Sequence, residues 1–237
     1  MSASPGSLAN LIPDFDPRRS PLVRRDHDLP AVAAERLLVQ ALRERLTNPP
    51  AWTPEFSGDP PWRAFAVPRP AAVLVPIVAH PGGATILLTE RSAHLRGHAG
   101  QVAFPGGGCD PEDFDAVDTA LREAREEVGL PRERVEIVAR LPDYLTGSGY
   151  RVTPVVGIVE PGFELQLDSF EVAEAFEVPI GYLMDPRHHE QRRIVLQGVV
   201  DRSFYSMPWH DPRRDRDFFI WGATAAMLRN LYRLLSA

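Results

Sequence analysis

Between Phe104 and Gly129 the chain reads FPGGGCDPEDFDAVDTALREAREEVG, a glycine triplet followed by a stretch, 115–128, with neither proline nor glycine. Glycines at 106–108 reach backbone conformations closed to other residues and let the main chain approach a neighbour closely. The stretch after them starts acidic, stops at Gly129 and meets Pro131 just beyond, which predicts a helix over Asp115–Val128. On that helix Val117, Ala120, Leu121, Ala124 and Val128 share one face. Glu123, Glu126 and Glu127 occupy an arc of about 100° on another. Like charges at i, i+3 and i+4 repel by a few tenths of a kcal/mol per pair, and only Arg122 and Arg125 stand near to offset them. A hard divalent cation reverses that penalty, because Mg²⁺ is commonly held by one or two carboxylates together with substrate phosphates. Alone, a glutamate-rich face reads as a solvated surface. Beside the glycine turn it reads as a site.

Composition narrows the partners. The net charge of −6 gives no basic excess for a nucleic-acid backbone or an anionic membrane. All 26 basic residues are Arg, which removes the phosphate lysine of a P-loop, the kinase strand lysine and any Schiff-base lysine. The single Cys109 excludes an internal disulfide or a multi-cysteine metal site. The first residues lack the pattern of a secretory leader, and the apolar run Ala71–Ala79 falls far short of the roughly 20 residues that cross a membrane. The expectation is a soluble, cytoplasmic protein.

Twelve of the 24 prolines fall within residues 1–70. The first 28 residues read as a loosely docked tail, Val32–Leu46 as one amphipathic helix, and Pro49–Pro70 as a stiff connector. From Ala71 the pattern turns to alternating strands and helices. AAVLVPIVAH and ATILLTE flank Pro81-Gly82-Gly83 as a hairpin, and VEIVARL, RVTPVVGIV, FELQL, VAEAFEVP and RRIVLQGVV read as strands. Ala223–Leu235 closes the chain as an amphipathic helix, with Trp221 beside it in the core. The division expected is an N-terminal extension over 1–70 and an α/β domain over 71–237, built around one sheet.

The segment from Gly107 to Leu130 resembles the Nudix box, whose Arg-Glu-x-x-Glu-Glu-x-Gly core stands here as Arg122-Glu123-Ala124-Arg125-Glu126-Glu127-Val128-Gly129. The first half departs from the general box: five residues separate Gly107 from Asp113, where a Glu is usual, and eight separate Asp113 from Arg122. This leaves open which carboxylate pairs with Arg122. Upstream, LLTERSAHLRGHAGQVAFPGG closely resembles the signature of the coenzyme A pyrophosphatase branch, with Arg91, Ser92, Arg96, Gly100 and Phe104–Gly107 in place. The likeness spans about residues 71–236.

The resemblance implies a Nudix-type α/β/α sandwich with a mixed sheet, preceded by the extension and its helix. It implies hydrolysis of the pyrophosphate of coenzyme A or its thioesters to 3′,5′-ADP and 4′-phosphopantetheine. Mg²⁺ or Mn²⁺ would sit on Glu123 and Glu127, with Glu126 as a further ligand. The proton of the attacking water would pass to Glu126 or Glu171, and Arg122 would orient the glutamates. Arg91 and Arg96, with the turn at Gly106 and Gly107, would hold the phosphates, as Arg suits anion recognition. His98 is a weaker candidate for substrate contact. Two alternatives stay open: a hydrolase of another nucleoside diphosphate derivative, such as ADP-ribose or a nucleotide sugar, and a Nudix module that binds a nucleotide without cleaving it. The expected partner is a small-molecule substrate, with no nucleic acid and no membrane; a homodimer stays open.

Overall fold

The computed structural model describes residues 16–59, 67–95, 100–196 and 200–237. Its centre is the apolar run the sequence singles out. Strand β2 (Arg69–Val78) pairs in parallel with β8 (Tyr150–Val159) along its whole length, from Arg69 opposite Tyr150 to Val78 opposite Val159. Both strands are covered on their two faces, which is why they read as nearly continuous apolar sequence. Antiparallel neighbours complete a mixed sheet: β3 (Thr85–Arg91), β4 (Val102–Ala103), β5 (Gly106–Gly108), β6 (Val135–Arg140), β7 (Tyr144–Leu145) and β9 (Val172–Pro179). The hairpin expected at Pro81-Gly82-Gly83 is present but short. Only Ile77 with Ile86 and Val78 with Thr85 pair across it before β3 leaves to join β9.

One face of this sheet carries the helix that follows the glycines. It runs Ala116–Val128; helix α1 (Val39–Thr47) precedes it in the chain, so it is α2. Asp115 caps its start, accepting from the N–H groups of Val117 at 2.8 Å and Asp118 at 3.1 Å. Gly129 ends it at φ 70°, a left-handed conformation that suits glycine. Its apolar stripe, with Ala120, Leu121, Ala124 and Val128, packs on Ala72, Leu74, Val155 and Val159. The segment FELQL forms no strand. The carbonyls at the end of α2 need donors, and this stretch supplies them: the N–H of Gln166 donates to Val128 at 3.0 Å and that of Asp168 to Glu127 at 3.0 Å.

The other face carries α1, the short helix α3 (Ile180–Leu183), the final helix α4 (Gly222–Ser236) and a second sheet. That sheet corrects the expectation of a single one. It has the order β1 (Leu22–Arg25), β10 (Glu190–Leu196), β11 (Val200–Asp211) and β12 (Arg216–Trp221), all antiparallel. Phe176 of β9 stacks on Phe218 of β12, with ring centroids 3.6 Å apart, and Arg216 ties β12 to Glu90 of β3 at 2.6 Å and to Glu174 of β9.

The extension is docked over its described residues, 16–59. β1 forms the edge of the second sheet, and the predicted helix is shorter than expected, a 3₁₀ turn at Ala34–Leu37 followed by α1. The fully buried Arg229 of α4 pairs with Asp26 at 2.7 Å and Glu55 at 2.8 Å, and its Nη1 donates to His189 Nδ1 at 2.9 Å. His189 is thereby held as one neutral tautomer, its Nε2–H donating to the Leu183 carbonyl at 2.7 Å, and burial pulls its pKa down to about 4. Beside Arg229, the Asn230 side chain accepts from the N–H groups of Glu55 and Phe56 and donates to the Phe56 carbonyl at 2.7 Å. Helix α4 therefore binds extension backbone and side chains together.

Candidate active site

The glutamate face of α2 meets the glycine strand β5. Arg122 organises the outer part of that meeting. Its guanidinium grips Asp113 at two points, Nε to Oδ1 and Nη2 to Oδ2, each 2.9 Å, and donates to the Gly108 carbonyl at 3.2 Å. Its Nη1 reaches Glu123 at 3.0 Å and Glu126 at 2.8 Å. Asp113 therefore fills the role the sequence left open, and Arg122 holds its carboxyl well below the usual range. One cation thus ties the loop before α2 to two of the three glutamates on its face.

Glu127 sits deeper. It is 3% exposed, accepts from the Gly106 N–H at 3.1 Å, and meets Arg91 Nη1 at 3.4 Å. Burial outweighs these contacts and pushes its pKa up to about 7. Glu123 is raised as well, again chiefly by burial. Gly107 leaves the space that Glu123 occupies, because a Cβ there would lie 2.6 Å from the carboxylate. At Gly106 a Cβ would lie 2.4 Å from the Ala72 carbonyl oxygen. Gly106 is thus required by the backbone beside it, and Gly107 by the position of the Glu123 carboxylate.

Gly107→Ala is accordingly expected to displace the Glu123 carboxylate while keeping the fold. Misplacement by about 1 Å at a reacting centre costs on the order of 100-fold, so steady-state kinetics should show a loss of tenfold or more with stability changed by less than about 1 kcal/mol. Wild-type kinetics in this variant would show that Glu123 needs no fixed position.

The glycines and Glu123 open on a cavity of about 520 Å³. Arg91, at the irregular end of β3, and Glu171, just before β9, line the same cavity and are joined by the Ser92 N–H donating to the Glu171 carbonyl at 2.8 Å. The lining also includes Thr146–Ser148, Asp59 from the proline-rich stretch, and Ile194, Arg202, Phe204 and Trp221 from the second sheet. Asp59 accepts from the Tyr144 hydroxyl at 2.5 Å and the Gly147 N–H at 3.1 Å, so it braces the 146–148 loop.

A NUDIX domain model matches residues 68–198. The chain is a Nudix hydrolase. An uncharacterized Nudix hydrolase NudL from Photorhabdus laumondii is 41% identical over 172 residues, 73% of this chain and 88% of that protein. A NudL of Yersinia pestis is 42% identical over 171 residues, 72% of this chain and 82% of its own length. A MutT/nudix family protein from Enterococcus faecalis has a similar structure, with a TM-score of 0.45 at 15% identity, covering 75% of this chain and 66% of that one.

Nudix hydrolases generally act on nucleoside diphosphate derivatives and use divalent metal ions. Among the described residues no three His, Cys, Asp or Glu side chains converge as a ready-made cage. The chemistry of the donor set still fits such an ion. Glu123 and Glu127 are hard oxygen donors held beside one glycine strand, both raised by burial, and an adjacent cation would favour their charged forms.

Of the residues expected from sequence, the structure brings Arg91, Gly106, Gly107, Glu123 and Glu171 to the cavity wall, with Glu127 directly behind and bonded to Gly106 and Arg91. Glu126 is not on that wall; its side chain is 57% exposed and paired with Arg122. Arg96 and His98 lie outside the described residues. Trp221, expected in the core, is only half-buried and lines the cavity. Asp59 carried no sequence signal, being one acidic residue in a proline-rich stretch. No helix among the described residues is long and apolar enough to cross a membrane.

Proposed function

We propose that this Nudix hydrolase cleaves the pyrophosphate of coenzyme A or its thioesters in the cytoplasm, releasing 3′,5′-ADP and 4′-phosphopantetheine or its acyl form. The observation carrying the reading is that the Leu87–Gly107 signature folds back onto the carboxylates: Arg91 and Gly106 both bond Glu127, and Gly107 stands against Glu123.

In this reading Glu123 and Glu127 hold Mg²⁺ or Mn²⁺, and Glu126 can join them only by leaving Arg122. The ion, when bound, polarises a phosphate oxygen and lowers the pKa of a bound water. Glu171, on the cavity wall with Glu123, takes the proton from the attacking water. Arg91 neutralises phosphate charge from the β3 side, and Arg96 supplies a second cation to a substrate that bears a further phosphate. Arg122 and Asp113 keep the α2 face in register with β5.

The test is product analysis after incubation with Mg²⁺ or Mn²⁺ and coenzyme A, ADP-ribose or a nucleotide sugar. We expect 3′,5′-ADP and phosphopantetheine, with kcat/KM for coenzyme A at least about tenfold above the others, the worth of one charge-assisted contact. Faster turnover of ADP-ribose would replace the substrate and keep the chemistry.

A further inference from the structure

The part of the cavity lining that the second sheet contributes takes no part in the hydrolysis just described, yet it carries two aromatic side chains, Phe204 and Trp221. Trp221 pairs with Ser206 across β12 and β11, which makes Phe204 its diagonal neighbour on the same strand pair. Diagonal aromatic side chains lie within reach of each other, and here the ring centroids are 5.5 Å apart at 70°. The two rings form a corner, half-buried and opening on the cavity. We infer that this corner is the subsite for the flat base of the nucleoside half of the substrate, stacked on Trp221 and bordered by Phe204. The inference rests on the Nudix reading only in taking the ligand to be a nucleoside diphosphate derivative.

Three features carry it. The lining combines charged groups with flat rings: Arg91, Glu123 and Glu171 come from the elements around the glycines, and Arg202 stands beside Phe204 and Trp221 on the second sheet. A ligand that carries both anionic phosphates and a neutral aromatic ring matches that lining. The volume, about 520 Å³, lies within the range of about 300 to 1,000 Å³ for small-molecule sites and extends beyond what a diphosphate alone would fill. Finally, two rings set at an angle offer one face and one edge, the arrangement aromatic groups prefer, whereas a flexible aliphatic arm has no use for a flat face.

The test is calorimetric binding of three probes, ADP, inorganic pyrophosphate and 4′-phosphopantetheine, to wild type, Trp221→Ala, Trp221→Phe and Phe204→Ala. Stacking on one aromatic side chain accounts for about tenfold to hundredfold in affinity. Trp221→Ala should weaken ADP by that factor, Trp221→Phe should restore most of it, and pyrophosphate should bind as before. Phe204→Ala gives the same readout if the Trp221 variant does not fold. Unchanged ADP binding, equal weakening of pyrophosphate, or a loss confined to phosphopantetheine would each overturn the inference. Coenzyme A left uncleaved beside a clear ADP loss would remove the coenzyme A reading and keep the subsite. Coenzyme A cleaved with no ADP loss would do the reverse.

Discussion

Glu127→Gln is expected to lower hydrolysis by about a thousandfold while the protein stays folded. The side chain is buried behind the glycine strand, and Gln keeps its shape and an oxygen for the Gly106 N–H at 3.1 Å. What it loses is charge. A ligand carboxylate underwrites several kcal/mol of transition-state stabilisation through its cation, and about 4 kcal/mol corresponds to about a thousandfold in rate. Folding should not suffer. A carboxyl whose pKa rises to about 7 on folding binds its proton more tightly in the fold than in the unfolded chain. Its stabilising effect is therefore complete below about pH 4.5 and is lost as pH climbs towards 7. With a chelator at pH 8, the Gln variant should melt no lower than wild type. The paired measurements are kcat/KM with Mn²⁺ and a thermal melt with chelator; a variant keeping a tenth of the activity would overturn the proposal that Glu127 holds the ion.

Arg229→Met is expected to destabilise the fold by about 3 kcal/mol, since removing one partner of a buried ion pair strands the other charges. Asp26 and Glu55 both point at this guanidinium, at 2.7 Å and 2.8 Å. The cost falls at the low end of the range for buried pairs because Arg24 still reaches Asp26 at 3.2 Å and Arg233 still reaches Glu55 at 2.6 Å. For a chain of this size 1 kcal/mol moves Tm by about 2 to 4 °C, so a fall of about 6 to 12 °C follows. Calorimetry reads it directly, and a shift below about 2 °C would mean the node holds nothing the rest of the interface does not. Turnover measured well below the melt should remain near wild type, because Arg229 touches no cavity residue named above.

Much of the catalytic half was legible because its signals are local. The cap at Asp115, the stop at Gly129 and the apolar stripe between them define α2 within a residue of where it lies. The runs that became β2 and β8 are buried on both faces and announce themselves by composition. FELQL misled because alternation alone does not separate a strand from an extended segment that caps a helix. The second sheet was harder. β1 and β10 are joined by contacts such as Arg25 with Glu190, 165 residues apart, and no periodicity within either strand encodes that meeting. Trp221 reads as core for a related reason: it precedes a buried helix, but its ring lines a cavity whose other lining residues come from elsewhere in the chain. Asp113 stood in plain view as the irregular position of the box, and only its two bonds to Arg122 show what the irregularity is for.

The docking of the extension on α4 has a consequence for the order in which a ribosome can assemble this molecule. Glu55 and Arg229 are 174 residues apart. At about 5 to 20 residues per second, the extension emerges roughly 10 to 35 s before the helix that receives it. For most of that interval Asp26 and Glu55 lack the Arg229 guanidinium, β1 lacks β10, and the cavity lacks Phe204 and Trp221. Residues 16–59 thus settle only once the far end of the chain is available, and the nascent enzyme stays without a finished substrate cavity until α4 has left the exit tunnel.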